Sequence, residues 1–463
     1  MKKIFLATNE LDKNAVDMGL SELVLQENAS SAVAKCVKKH FKGKRILAFC
    51  GGGNNGADAL AVLRRLSGEY ECLGILTSEF LNENSKIQAN IARKSGVRLG
   101  YLDNFDFSMN DDICVIDGIF GSGLSRALSA EIINLINFLN STKALKIAVD
   151  IPSGLDKRGV ALPVALKCDY SVTMGALKLA LFSDFAKDFV GRIITADLGL
   201  SHGVFCGERQ SDFLLEMSDL SLPFRKKQNV NKGSFGHAFV AVGAMEGAGQ
   251  ICALSALNMG AGKVSAVGNF KKFSYEIMKK ESFKGADAIS LGMGQGSTEL
   301  KIDEILAENC AYIVDADMFY NERILEFAKR KNAVLTPHPK EFQSLLKLAG
   351  MGDFELNEVC ENKMELARKF SLEFSSTLLV KGANAIIANS GVLYINDKGS
   401  AKLAKGGSGD ALSGIILGLL AQGYKPLKAA ICGSLAQAKI ARKYHKNDYS
   451  YTPKDMIKGI KCL

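Results

Sequence analysis

At 463 residues the chain is long enough for two or three domains of roughly 150 residues each. Its 47% hydrophobic and 23% charged residues, with only seven prolines, exclude disorder and collagen-like repeats. The formal charge of +9 is spread among interleaved acidic residues, and the basic cluster Arg225-Lys226-Lys227 with Lys232 has no aromatic interleaving; it reads as a solvated linker, with no nucleic-acid partner implied.

The apolar run near the N-terminus, Ile4 to Ala7, is too short for a signal sequence, and Ile415 to Ala421 is far below the ~20 residues of a membrane span. Eleven cysteines without a CxxC pair suit reduced thiols, so a soluble, cytoplasmic protein without a membrane partner is expected. In chain order, strand Ile46 to Cys50, a glycine turn and helix Ala59 to Leu66 open a parallel α/β sheet, continued by strands Glu71 to Leu76, Ile113 to Ile116, Leu145 to Val149 and Ile193 to Leu198. A second start, strand His237 to Val242 and helix Ala248 to Met259, leads to strands Lys263 to Val267, Ala288 to Leu291, Ala311 to Val314, Ala333 to Leu335 and Thr377 to Val380. The segment Gly203 to Gly236 lacks a sustained period. The expectation is α/β: two tandem three-layer α/β domains, 1–210 and 222–463, unlike each other and so with two functions.

Glycine, at 45 residues or about 10% against a typical ~7%, clusters where strands should end. Cys50 to Asp58 follows a strand and opens a helix, where backbone amides and the helix dipole can hold a phosphate; a purely structural turn is the other reading, and Asn54, Asn55 and Asp58 favour the first. Asp117 to Gly123 and Val149 to Asp156 end two further strands, so the three loops should share one crevice. Taken alone, Asp117 and Asp156 more often read as helix caps. Asp150 follows an apolar run, where desolvation suits an acid or base.

In the second half, Lys405 to Asp410 is a glycine nest running into an apolar helix, which can stabilise a phosphoryl oxyanion while Asp410 takes a proton from an attacking hydroxyl. No Walker A sequence is present, and Gly292 to Gly296 is no GxGxxG fingerprint, which disfavours a P-loop NTPase and a Rossmann dehydrogenase. Val314 to Asp317, Thr336 to Glu341 and Val380 to Ala385 end three strands and should line one cleft, with His338 stiffened between two prolines and Glu341 a contact or only a cap.

Residues 1 to about 205 resemble the NAD(P)H-hydrate epimerase domain, through the Asn-Asn-Gly-x-Asp loop at Asn54 to Asp58, the Asp117 loop and Asp150 to Asp156. The resemblance implies a Rossmann-like fold, the hydrated dinucleotide on Asn54, Asn55, Gly56, Ala57 and Asp58 and on Gly121, Ser122, Gly123, Leu124, Ser125, Arg126 and Ala127, a potassium ion on Asn55, Asp117 and Ser153, and Asp150 as acid/base that also meets substrate. Gly52, Ala57 and Ala59 stand where that family has Pro, Gly and Gly.

Residues from about 225 to 463 resemble the ribokinase-like NAD(P)H-hydrate dehydratases, through the series from Lys232-Gly233 to Gly406 to Asp410, with Gln295 and Lys405 as departures. That resemblance implies an adenine nucleotide, ADP or ATP, on Lys381, Gly382, Ala383, Asn384, Ala385 and Gly409, substrate on Ala248, Gly294, His338 and Asp410, Asp410 as base, and magnesium on the phosphates. The expected function is repair of the hydrates NADHX and NADPHX by epimerisation and nucleotide-dependent dehydration. A ribokinase-like small-molecule kinase carrying an N-terminal binding module is the alternative, and a homo-oligomer is left open.

Overall fold

Arg45–Cys50 is apolar at every position after the first, a run suited to a strand covered on both faces. In the computed structural model, which describes residues 1–102, 112–124 and 126–463, its side chains alternate between two cores. Ile46, Ala48 and Cys50 pack with helices Glu22–His40 and Asn54–Leu66, whereas Leu47 and Phe49 pack with helix Ala130–Ser141. Ile113–Gly118 and Leu145–Val149 divide in the same way, so the sheet lies between two helical layers. This unit spans Lys3–Ser211.

Among the described residues, seven of its strands form an all-parallel sheet that runs Arg98–Tyr101, Glu71–Leu76, Arg45–Cys50, Ile113–Gly118, Leu145–Val149, Tyr170–Met174, Arg192–Ala196. Chain order reverses between Arg45–Cys50 and Ile113–Gly118, and at such a switch point the loops leave toward opposite faces and open a crevice. Arg98–Tyr101 and Tyr170–Met174 were not expected; each is short, and the second follows the long irregular stretch 150–169.

The other unit comprises Met1–Lys2 and Asp212–Leu463. Its sheet runs Met278–Lys280, Lys263–Val267, His237–Ala241, Ala288–Leu291, Ala311–Val314, Ala333–Leu335, Thr377–Val380, Ala385–Asn389, Val392–Asn396, Asp212–Leu214. Ala238 and Val240 face a core with helices Glu246–Asn258, Ser408–Ala421 and Pro426–Lys443. On the other face Phe239, Phe327, Phe342 and Phe370 are fully buried. The order again reverses at the first strand, between His237–Ala241 and Ala288–Leu291.

Ala385–Asn389 and Val392–Asn396 form an antiparallel hairpin through Ser390 and Gly391, both at positive φ as a tight two-residue turn demands. Beyond it, Asp212–Leu214 pairs with Val392–Asn396. The Asp212 carboxylate accepts two Arg368 guanidinium bonds, at 3.0 and 2.6 Å, and the Leu393 amide at 2.9 Å, while Leu215 is fully buried. Residues 212–221, left between the expected domains, therefore belong to the C-terminal unit. Arg225 to Lys232 is exposed throughout, and the Arg225 guanidinium lies 4.1 Å over the Phe235 ring.

Candidate functional site

In the N-terminal unit the turn after Arg45–Cys50 is built by close backbone approach. A Cβ on Gly56 would stand 1.8 Å from the Gly51 carbonyl oxygen, and one on Gly118 would stand 2.4 Å from the Ala59 Cβ, so glycine at both positions lets helix Asn54–Leu66 start against the strand ends. A cleft of about 1460 Å³ opens there, at the switch point. Asn54, Asn55, Asp58, Gly121, Ser122, Gly123, Leu124, Arg126, Ala127 and Asp150 line it. Gly56 and Ala57 do not: Ala57 is fully buried, so its side chain is packed inside the fold. Ala59, also fully buried, puts its methyl toward Gly118. Ser125 lies outside the described residues.

Asn55, Asp117 and Ser153 meet around the Phe120 backbone. The Asn55 amide donates to the Phe120 carbonyl at 2.9 Å, and the Phe120 N–H donates to Ser153 Oγ at 2.9 Å. Asp117, fully buried, accepts the Ser153 N–H at 2.7 Å and the Ser153 hydroxyl at 2.5 Å. Burial pushes the Asp117 carboxyl up to about 6 against these bonds. Asp156 accepts the Arg158 and Val160 amides at 2.8 and 2.9 Å, which makes it a turn residue.

Asp150 sits at φ 73, left-handed backbone that a non-glycine residue adopts at a cost of ~1–3 kcal/mol. Its Oδ1 accepts the Thr173 hydroxyl at 3.2 Å, the Met174 N–H at 3.3 Å and the ammonium of Lys178. Asp58 and Asp12 share the cleft. Burial raises Asp58 well above the usual carboxylate range, and the Asp150 charge adds to this; Asp58 Oδ1 has no hydrogen-bond partner. Burial lifts Asp12 to about 6, with Lys178 opposing. Lys178 and Asp12 were not anticipated. A lysine inside the apolar run Gly175 to Phe182 was a readable signal; Asp12, on a helix without a motif, carried none.

In the C-terminal unit, Gly243 and Gly294 bring the two switch-point loops together: the Met245 N–H donates to the Gly294 carbonyl at 2.9 Å, and a Cβ on Gly294 would meet the Ala248 Cβ at 2.9 Å. The Gly296 N–H donates to Asp317 at 2.8 Å, which ties this loop to the one after Ala311–Val314. Asp315 is 2% exposed and fully used. It accepts Lys381 Nζ at 2.7 Å, the Ala316 N–H at 2.8 Å and the Ser413 hydroxyl at 2.7 Å. Lys381 also lies 3.5 Å from Glu341, and although burial lowers its affinity for a proton, the two carboxylates outweigh that and hold it above its ordinary value.

His338 caps helix Pro339–Leu348: its Nδ1 accepts the Lys340 and Glu341 amides at 3.1 and 3.3 Å, and Glu341 returns the bond to the His338 N–H at 2.7 Å. Glu341 is thus a cap and a member of the Lys381 network, pushed up by burial to about 7. Asn384 is 2% exposed, so at that turn Gly382 and Ala383 offer the accessible surface. Helix Ser408–Ala421 begins after Gly407 in left-handed backbone, and the Gly409 and Asp410 amides have no intrahelical acceptor, as at any helix start. A Cβ on Gly409 would stand 3.4 Å from Lys381 Nζ. Asp410 itself makes no hydrogen bond or ion pair among the described residues, and burial followed by the Asp315 charge lifts it to about 6. A carboxylate so placed can take a proton beside an anion-binding helix start. Gln295 Oε1 and Ser408 Oγ are buried without partners, and Lys405 reaches the Tyr449 carbonyl at 2.8 Å.

No helix among the described residues is long and apolar enough to cross a membrane. The family described as NAD(P)H-hydrate dehydratase matches residues 238–461, and that described as YjeF-related protein N-terminus matches residues 22–180. Among solved structures, the ADP/ATP-dependent NAD(P)H-hydrate dehydratase from Bacillus subtilis, co-crystallised with ATP and Mg2+, aligns at 24% identity and a TM-score of 0.45, covering 54% of this chain and 96% of that one. The bifunctional NAD(P)H-hydrate repair enzyme of Moorella thermoacetica is 30% identical over 90% of this chain and 87% of its own. That of Helicobacter pylori is 40% identical over 478 aligned residues, covering 100% of both chains. Similarity of this extent, across both units, makes the chain a member of the family of bifunctional NAD(P)H-hydrate repair enzymes.

Proposed function

We propose that the N-terminal unit interconverts the two epimers of hydrated NADH and NADPH, and that the C-terminal unit dehydrates one of them with an adenine nucleotide. The observation that supports it best is the presence, in one chain with full-length bifunctional relatives, of two sites that each present an aspartate, Asp150 after a parallel strand at the cleft and Asp410 at a helix start. A small-molecule kinase with an N-terminal binding module is less well supported, because the full-length relatives are bifunctional NAD(P)H-hydrate repair enzymes.

In the first site, the hydroxyl-bearing carbon inverts if its C–O bond opens and closes again from the other side. A proton goes to the departing hydroxyl and is taken back from the water that returns on the opposite face. Asp150, whose Oδ2 is left over when Oδ1 is occupied, carries that proton. Asn55, Asp117, Ser153 and the Phe120 carbonyl offer oxygens of the kind that suits potassium; the ion would supply positive charge there. The dinucleotide would lie on Asn54, Asn55, Asp58 and the loop from Gly121 to Ala127.

In the second site Asp410 takes the proton as the substrate hydroxyl attacks the terminal phosphoryl group, and the amides of Gly409 and Asp410 with Lys381 face the charge that develops. The nucleotide departs one phosphoryl group shorter; the C–O bond to phosphate then breaks, and loss of a proton from the neighbouring carbon to water restores the dihydronicotinamide. The nucleotide would sit against Gly382, Ala383 and Gly409, and substrate near Ala248, Gly294 and His338. Magnesium would be carried on the nucleotide phosphates and, when bound, would neutralise their charge. The decisive assay supplies mixed NADHX epimers with ADP or ATP and follows NADH absorbance. Complete recovery is expected; recovery of one epimer only, or accumulation of a phosphorylated product, overturns the reading. Fragments 1–210 and 212–463 are expected to divide the two activities.

A further inference from the structure

Lys178 is 3% exposed and ends the two-residue strand Leu177–Lys178, which pairs with Lys2–Phe5 through Ile4 opposite Leu177 and Phe5 opposite Lys178. Among the described residues lining the N-terminal cleft it is the buried cation; Lys13, Arg126 and Lys157 there are exposed. Its ammonium lies on Asp150 Oδ1, together with the Thr173 hydroxyl and the Met174 N–H. Three donors on one oxygen leave Asp150 Oδ2 as the atom that faces the cleft, 3.5 Å from the point where a Cβ on Gly121 would stand.

We infer that Lys178 is a positioning residue for epimerisation, fixing Asp150 Oδ1 so that Oδ2 alone exchanges the proton; this rests on the functional reading above. A strained backbone turn sets the direction of the side chain, but the carboxylate could still rotate about its last bond, and the ammonium prevents that. Lys178 also offsets the crowding of acids. Asp12 comes from helix Asn9–Asp17, Asp58 from helix Asn54–Leu66 and Asp150 from the end of Leu145–Val149, and the Lys178 charge acts on the first two as well as pairing with the third.

The test compares Lys178→Met, Lys178→Arg and Thr173→Val in the full chain, following epimer ratios without nucleotide across pH, with dehydration of the correct epimer as an internal control. Lys178→Met is expected to lower the epimerisation kcat by ~10² or more with little change in KM, as loss of a transition-state alignment does. The alkaline limb of its pH profile should move to higher pH, because the lost cation favoured the ionised carboxylates of the cleft. Lys178→Arg should recover part of the rate and the original limb, and Thr173→Val should lower kcat without moving the limb. A folded Lys178→Met variant with unchanged kcat and pH limb overturns the role of Lys178 and leaves the epimerase reading intact. If Lys178→Met does not fold, an unchanged kcat in Thr173→Val overturns the anchoring of Oδ1. Absence of epimerisation in the unaltered chain overturns the functional reading and this inference together.

Discussion

The two units present their aspartates from different elements, Asp150 from the end of a parallel strand and Asp410 from the start of a helix, and treat them in opposite ways. Asp150 is gripped through one oxygen by a sealed lysine and two further donors, on strained backbone. Asp410 is held only by its place at a helix start, while Lys381, 22% exposed in its side chain, is spent on Asp315 and Glu341. The difference matches the proposed chemistries. Exchanging a proton with a hydroxyl that departs and a water that returns calls for a fixed carboxylate oxygen, whereas a base that acts only once nucleotide and substrate are present can be left unpaired, with its basicity raised by burial.

Exchange of the two carboxylates is the harshest way to break this comparison. Asp410→Asn should lower dehydration by ~10²–10⁴-fold and leave epimerisation untouched, and Asp150→Ala should do the reverse. Assaying both activities in both variants, with melting profiles, checks the crossed pattern; loss of both activities in either variant would mean that the sites are not independent.

Next in size is the pH response. Asp410 must be ionised to act as base and is lifted to about 6, so dehydration should fall roughly tenfold per pH unit below that value. The sign for stability is opposite. A carboxylate whose folded value lies above its unfolded value of 3.8 destabilises the fold when ionised, and that penalty is relieved as pH falls from about 6 toward 4. Asp410→Asn should therefore raise the melting temperature of the C-terminal unit at neutral pH by ~2–4 °C. An unchanged or lower value would indicate that the ionised group is better solvated than its burial suggests.

Packing at the turn sharpens the contrast from the N-terminal side. Gly118→Ala forces a methyl to 2.4 Å from the Ala59 Cβ and should cost ~1–3 kcal/mol in denaturant unfolding of that unit. The smallest effect is expected from Ala57→Gly: the methyl is buried away from the cleft, so epimerisation should hardly change while stability drops by ~0.5–1 kcal/mol from helix propensity. A faster epimerase would show that this methyl reaches the substrate after all.

Much of the architecture was legible because buried parallel strands are short apolar runs bounded by glycine turns. Glu71–Leu76, Leu145–Val149, Lys263–Val267 and Ala333–Leu335 stand where that pattern puts them. The hairpin through Ser390 and Gly391 carries a turn signal, whereas Asp212–Leu214 carries almost none, since three residues held by an Arg368 ion pair leave no periodicity.

By itself, then, the sequence determined two α/β units, their strand-end loops and the aspartates on them, because period and glycine placement are local properties of the chain. Only the tertiary structure decided which oxygen of Asp150 is free, that Lys178 lies beneath it, that Lys381 serves Asp315, and that Ala57 faces away from the cleft. Those facts depend on residues far apart in the chain meeting at fixed distances, and distance across a fold is set by packing of whole layers, which no local pattern encodes.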